Sequence, residues 1–278
     1  MKESQNIRKT VRERYGERAK AGTSCCGTTS SCCGSSQTIS TKLGYSEQEL
    51  GSIPEGADLG LGCGNPTALA SLKAGETVLD LGSGAGIDCF LAADLVGETG
   101  RVIGVDMTAA MLDRARENAR KNSIENVEFR LGEIEHLPVP DGTVDAVISN
   151  CVVNLSPNKQ QVFSEMYRAL KPGGRMMISD IVQLKPLPEA VLKSIEAYVG
   201  CIAGASLKQD YVSMIQAAGF RDVEIVSETT FGAALPSSGN AKIVLDGQEV
   251  DPEEFGMTQD TVRDLAGSMA SIGVQAFK

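Results

Sequence analysis

The sequence has one histidine, no apolar run of membrane-spanning length and no basic block, and each scarcity excludes something. With a single histidine, general bases are few, and His136 sits in a polar loop where it reads as a solvated residue rather than a catalytic one. Without a spanning run, and with a charged start (MKESQNIRKTVRERYGER) that has no apolar h-region, neither a membrane protein nor an exported one is expected. The expectation is a cytoplasmic globular protein of 278 residues, long enough for a full core. Acids outnumber bases, giving a net charge of −10 and a pI near 4.8. Such a field repels phosphate backbones, so nucleic acid is not an expected partner.

What is present centres on Val78-Leu79-Asp80-Leu81-Gly82-Ser83-Gly84-Ala85-Gly86. An apolar run ending near an acid, then three glycines at every second position, then an apolar helix at 87–96, reads as strand, tight turn and helix N-terminus. Glycine is needed where a Cβ would collide with a ligand. Asp106, twenty residues beyond Gly86, ends a second apolar run and is placed to take two ribose hydroxyls. The G-x-G-x-G spacing, with Asp80 two residues ahead of it, suits the ammonium of a methionine moiety better than a pyrophosphate. This block resembles motif I of the S-adenosylmethionine-dependent methyltransferases.

Residues 1–21 predict a helix whose apolar face is Ile7, Val11, Tyr15 and Ala19. A Gly/Ser/Thr tract at 22–38 follows, then a glycine-rich connection at 39–66 read as a shaped loop near a site. A short helix at 67–72 precedes the first strand. Thr108 is expected to cap a helix at 109–122, with strands at 127–131 and 144–149 beyond it. A helix at 159–170 should end at the turn Lys171-Pro172-Gly173-Gly174, before a strand at 175–182. Helices at 188–201 and 207–218 and a strand at 223–227 come next. Alternating strands and helices predict a Rossmann-like, doubly wound α/β fold with ligands at the carboxyl ends of the strands. An antiparallel strand at 271–277 would complete seven strands. The expected divisions are 1–58, an N-terminal helix and mobile cysteine-rich arm; 59–231, the methyltransferase domain; and 232–278, a C-terminal segment with an insertion at 232–266 before its closing strand.

Eight cysteines in a chain without a signal peptide point to soft-metal binding or redox chemistry. Four lie in two copies of Ser-Cys-Cys-Gly, at 24–27 and 31–34, open to reading as a zinc site, a bland tail or a mobile thiol arm. Cys63, Cys151 and Cys201 stand alone on segments able to reach the strand ends, where they could form a three-sulfur cup. Each could equally be a small buried hydrophobe, the expected fate of Cys89. A methyltransferase of a small organic acceptor with structural cysteines therefore stands as the alternative.

With these cysteines the chain resembles the arsenite methyltransferases. The likeness runs from about Tyr45 to Phe231, through Gly62-Cys63-Gly64-Asn65-Pro66, the glycine block extended to Phe90, Ser149-Asn150-Cys151-Val152-Val153-Asn154-Leu155, and Gly200-Cys201-Ile202-Ala203-Gly204-Ala205. It implies trivalent arsenic held by thiolates at Cys63, Cys151 and Cys201, with mono- and dimethylated arsenic as products. It also implies an N-terminal helper cysteine, Cys32 or Cys33 in the first instance, Cys25 or Cys26 in the second. A thiol reductant, thioredoxin or glutathione, would be the co-substrate. S-adenosylmethionine contacts are expected at Asp80, Gly82, Ser83, Gly84, Gly86, Asp106 and Met107. Gly132, Glu133 and Ile134, flanking the adenine, and Asn150 complete that set.

Overall fold

The computed structural model describes residues 2–21, 40–41, 44–60, 65, 71–187, 201–231, 243–245, 248–250 and 258–278. Its centre is the strand β1, Thr77–Leu81, whose last four residues are buried. Parallel partners flank it, β2 (Arg101–Asp106) on one side and β4 (Val144–Asn150) on the other. β3 (Val127–Leu131) extends the sheet beyond β2, and β5 (Leu170–Gln183) extends it beyond β4. β6 (Arg221–Thr230) forms the far edge. The last strand, β9 (Met269–Phe277), runs antiparallel between β5 and β6. The order is β3-β2-β1-β4-β5-β9-β6, so the strand order reverses between the parallel β1 and β4 and opens a crevice at their carboxyl ends.

The first helix, α1 (Lys2–Ala21), turns the expected face inward: Val11 and Ala19 are buried, and Ile7 and Tyr15 partly so. Ion pairs fix it over the crevice, from Arg8 to Glu135 at 2.9 Å and from Arg12 to Glu133 at 3.3 Å. After a short α2 (Glu47–Ser52), α3 (Ile87–Val96) follows the glycine turn and is buried at seven of its ten positions. The helix α4 (Ala109–Lys121) buries Met111, Leu112, Ala115, Asn118 and Ala119, one stripe at helical spacing. Thr108 precedes it, but its side chain makes no cap bond. Instead the Thr108 amide donates to Asp106 Oδ1 at 2.7 Å, which draws the helix entrance toward the end of β2. Further helices are α5 (Lys159–Ala169) and α6 (Lys208–Ala217), joined through the Phe163–Tyr211 edge contact.

Three segments depart from the sequence reading. Lys171-Pro172-Gly173-Gly174 is not a plain turn. The ladder with β4 starts at Leu170 and shifts before Arg175, because the chain end supplies partners: Gly173 N donates to Lys278 O, and Lys278 N to Gly174 O. Within 232–266 lies a hairpin, β7 (Ile243–Leu245) with β8 (Gln248–Val250). Asp246-Gly247, a pair that favours two-residue hairpin turns, separates them in the sequence. A helix, α7 (Gln259–Gly267), was not foreseen there, although Thr258 is a true cap that accepts from Thr261 N at 3.2 Å. The helices expected at 67–72 and 188–201 lie almost wholly outside the described residues.

Candidate active site

The crevice is a cavity between the carboxyl ends of β1, β2 and β4 and the inner face of α1. Its floor is the turn after β1, where the amides of Gly82 and Ser83 both donate to Val105 O. Gly82 has φ +71, and a Cβ there would stand 2.5 Å from Val152 Cγ2. Glycine is thus required both by backbone sign and by the approach of the segment that follows Cys151. Ser83 is buried and its Oγ has no hydrogen-bond partner, although it lies on the cavity wall. That donor is left for a ligand.

Asp106 reaches the wall from the end of β2. Gly84 N donates to its Oδ2 at 3.0 Å, and burial holds its carboxyl above the usual range. Its position matches that expected for the acid that takes ribose hydroxyls. Met107, Gly132, Ile134 and Asn150 also line the cavity. Asp80, Gly86 and Glu133 do not. Asp80 lies behind the turn, where Cys89 Sγ donates to it at 3.2 Å; burial, then the nearby Asp88 charge, pushes its carboxyl well up. Glu133 is engaged by Arg8 and Arg12 on the outer side.

The acid that faces the cavity from the glycine block is Asp88, in the first turn of α3. Tyr45 OH donates to it at 2.7 Å, and Asn150 Nδ2 at 3.4 Å. Burial is the largest influence and raises its carboxyl to about 6, against those two hydrogen bonds. Sequence reasoning missed Asp88 and Tyr45, and also Glu135, whose side chain is 5% exposed and accepts from Arg8 and Ser156 Oγ. An acid two residues past the last glycine, in a helix's first turn, was the available signal for Asp88.

Two cysteines meet beside the cavity, whose wall includes Cys151. Cys151 follows β4 directly, and its amide donates to Ser179 O on β5 at 2.8 Å. Cys201 Sγ donates to Cys151 O at 3.0 Å. Both residues are buried, and both have left-handed backbones, with φ +57 and +62. Non-glycine residues there carry strain of about 1–2 kcal/mol each, and strain of this kind gathers at functional sites. The two share an apolar cluster with Val11, Leu155 and Met269, so α1 roofs them. Burial, then the Asp180 charge, pushes the Cys201 thiol well up. Asp180 is itself held by Asn154 Nδ2 at 2.8 Å and Tyr211 OH at 3.0 Å, and Asn154 Nδ2 also donates to Ile181 O at 2.6 Å. Asn154 thereby fastens the 3-10 turn after Cys151 to β5. Cys151 is disulfide-bonded, and its partner is not among the described residues. Cys63, Cys32 and Cys33 lie outside the described residues. Cys89 is fully buried beneath the glycine turn, and His136 is exposed, both as expected.

The family profile for the methyltransferase domain matches residues 72–219. An arsenite methyltransferase from Halobacterium salinarum is 54% identical over 233 residues, covering 81% of this chain and 60% of its own length. Another from Aquipseudomonas alcaligenes is 38% identical over 214 residues, covering 70% of this chain and 61% of its own length. Among solved structures, CrArsM, an arsenic(III) S-adenosylmethionine methyltransferase from Chlamydomonas reinhardtii, is 34% identical with a TM-score of 0.61. That likeness covers 86% of this chain and 73% of that one. The chain spans about three-fifths of the length of each of these two curated relatives.

Proposed function

We propose that this chain, which belongs to the arsenite methyltransferase family, transfers a methyl group from S-adenosylmethionine to trivalent arsenic held by cysteine thiolates. The observation that carries the proposal is the contact between Cys201 and Cys151, the latter on the wall of a glycine-floored cavity. A small organic acceptor gives no reason for two strained, adjacent cysteines there; a soft trivalent ion does.

The cavity suits the methyl donor. Gly82 leaves room where a side chain would collide, Ser83 Oγ has an unused donor, Asp106 can take ribose hydroxyls and Asp88 can face an ammonium. When bound, S-adenosylmethionine supplies an electrophilic methyl on a sulfonium. The chain's own part is orientation. Thiolates of Cys151, Cys201 and Cys63 form a pyramid around arsenic and aim its lone pair away from them, toward the glycine turn. The lone pair becomes the new arsenic–carbon bond, while the electrons of the broken carbon–sulfur bond stay on the sulfur. No proton moves in that step, which accords with an exposed His136 that has no catalytic task.

Arsenic is then two electrons poorer. Two thiolates return them and close as a disulfide, which a dithiol reductant of the thioredoxin type, or glutathione, reopens. A disulfide-bonded Cys151 must likewise be reduced before arsenic binds. Cys32 and Cys33 on the cysteine-rich arm are the proposed recycling thiols, and the cytoplasm the proposed setting. The test is product analysis with S-adenosylmethionine, arsenite and a thioredoxin system. Methylated arsenic is expected over many turnovers, and the Cys32→Ser/Cys33→Ser double variant should stop after about one. Full multiple turnover by that variant would remove the arm from the cycle.

A pH dependence follows from Asp88. Its carboxyl titrates near 6, and only the ionised form attracts an ammonium. Affinity for S-adenosylmethionine should therefore be steady above pH 7 and fall by up to about tenfold per pH unit below 6. Calorimetric titration from pH 5 to 8 measures this, and an Asp88→Asn variant should give a flat, weak profile.

A further inference from the structure

One carboxylate on the cavity wall is used neither by the glycine turn nor by the cysteines. Asp58 lies in the glycine-rich stretch ahead of β1, and its Oδ1 accepts from Ser40 Oγ and from the Gly60 amide, each at 2.8 Å. Its Oδ2 is buried with no hydrogen-bond partner, yet Asp58 lines the cavity. A second unpartnered atom, Ser83 Oγ, lies on the same wall, in a residue only 4% exposed. Asp88 is close enough to feel the Asp58 charge. One short segment braces both acids: Ser40 Oγ donates to Asp58, Tyr45 OH donates to Asp88, and Tyr45 N donates to Ser40 O at 3.2 Å.

A desolvated acceptor without a donor is costly, and more so when charged. Asp58, with one unpartnered oxygen, and Asp88 beside it face one space and ask for a cation, since a neutral donor would satisfy one oxygen and leave the mutual repulsion. On the methyl-donor reading that cation is an organic ammonium. Asp106 already marks the ribose end of the cavity at the tip of β2, which leaves the Asp58–Asp88 side for the amino-acid end of the ligand.

We propose that Asp58 Oδ2, beside Asp88, receives the α-ammonium of the methionine moiety of S-adenosylmethionine. This assignment rests on the methyl-donor reading above and names a residue that binds one part of that molecule. Isothermal titration of the wild type and the Asp58→Asn variant with three ligands tests it. S-adenosylmethionine and S-adenosylhomocysteine both carry the ammonium; 5′-methylthioadenosine keeps the adenosine and the sulfur but lacks the amino-acid end. The variant should bind the first two about tenfold more weakly and the third within about twofold of wild type. Equal loss for all three would make Asp58 a shaper of the whole cavity. Loss for S-adenosylmethionine alone would assign it to the sulfonium, and no loss would remove the contact; each result overturns the proposal. A wild type that binds none of the three would remove the methyl-donor reading and this assignment with it. Thermal melting in parallel should show Asp58→Asn no less stable, since it removes a charge that repels Asp88. If that variant folds poorly, Ser40→Ala, which loosens the Asp58 brace, should show the same ligand pattern at about threefold.

Discussion

Replacing Cys151 by serine should lower arsenite methylation by about a hundredfold or more while leaving S-adenosylmethionine affinity within about threefold of wild type. Serine keeps the size and the backbone demands of the site, including the amide bond to Ser179 O. What it loses is the soft donor. A neutral hydroxyl is a poor ligand for trivalent arsenic, so the cup drops to two sulfurs and the ion is no longer aimed. The cofactor wall is the control: Asp106, Ser83 and Asp88 are untouched, and binding there should persist. Steady-state product analysis read beside calorimetric binding separates the two effects. Parallel loss of binding and activity would mean that the substitution had collapsed the cavity, and full activity would return Cys151 to the core.

Gly82→Ala should have the second largest effect, acting on fold and site together. The new Cβ would lie 2.5 Å from Val152 Cγ2 and 2.7 Å from Val152 Cβ, on a backbone at φ +71. The left-handed strain and the overlap together should cost about 2–4 kcal/mol. Val152 can yield only by moving the segment that begins at Cys151, so methylation should fall more than stability alone accounts for. Gly142→Ala is the control, since Gly142 has φ +61 but nothing within 4 Å of the added carbon. It should cost only about 1–2 kcal/mol and leave activity intact. Urea denaturation of both variants gives the difference; equal costs would show that the contact with Val152 is not felt.

The centre of the fold was legible because its chemistry is local. Three glycines after a buried strand force a turn, and α3 begins and ends where the apolar pattern does. The antiparallel last strand was legible too, since weak alternation at the chain end had one open place in a seven-stranded sheet. Which acid of the glycine block would face the cavity was not legible. Asp80 on β1 and Asp88 in the first turn of α3 flank the same turn, and the packing of α3 on the sheet brings Cys89 onto Asp80 and leaves Asp88 to the crevice. The left-handed backbones at Cys151 and Cys201 carry no compositional mark, because such strain is imposed by the surroundings rather than by the residue. Their meeting could be guessed only from position along the chain. The helix α7 was hidden by the glycine- and acid-rich residues before it, although Thr258 and the Val262/Leu265 pair were a cap and a face.

The most direct measurement is arsenic-edge X-ray absorption on the reduced, arsenite-loaded protein. Three sulfur neighbours around arsenic are expected in the wild type, falling to two in Cys201→Ser and in Cys151→Ser. Oxygen-only coordination in the wild type, or a count unchanged by both substitutions, would contradict the thiolate cup and leave the cysteines as parts of the core.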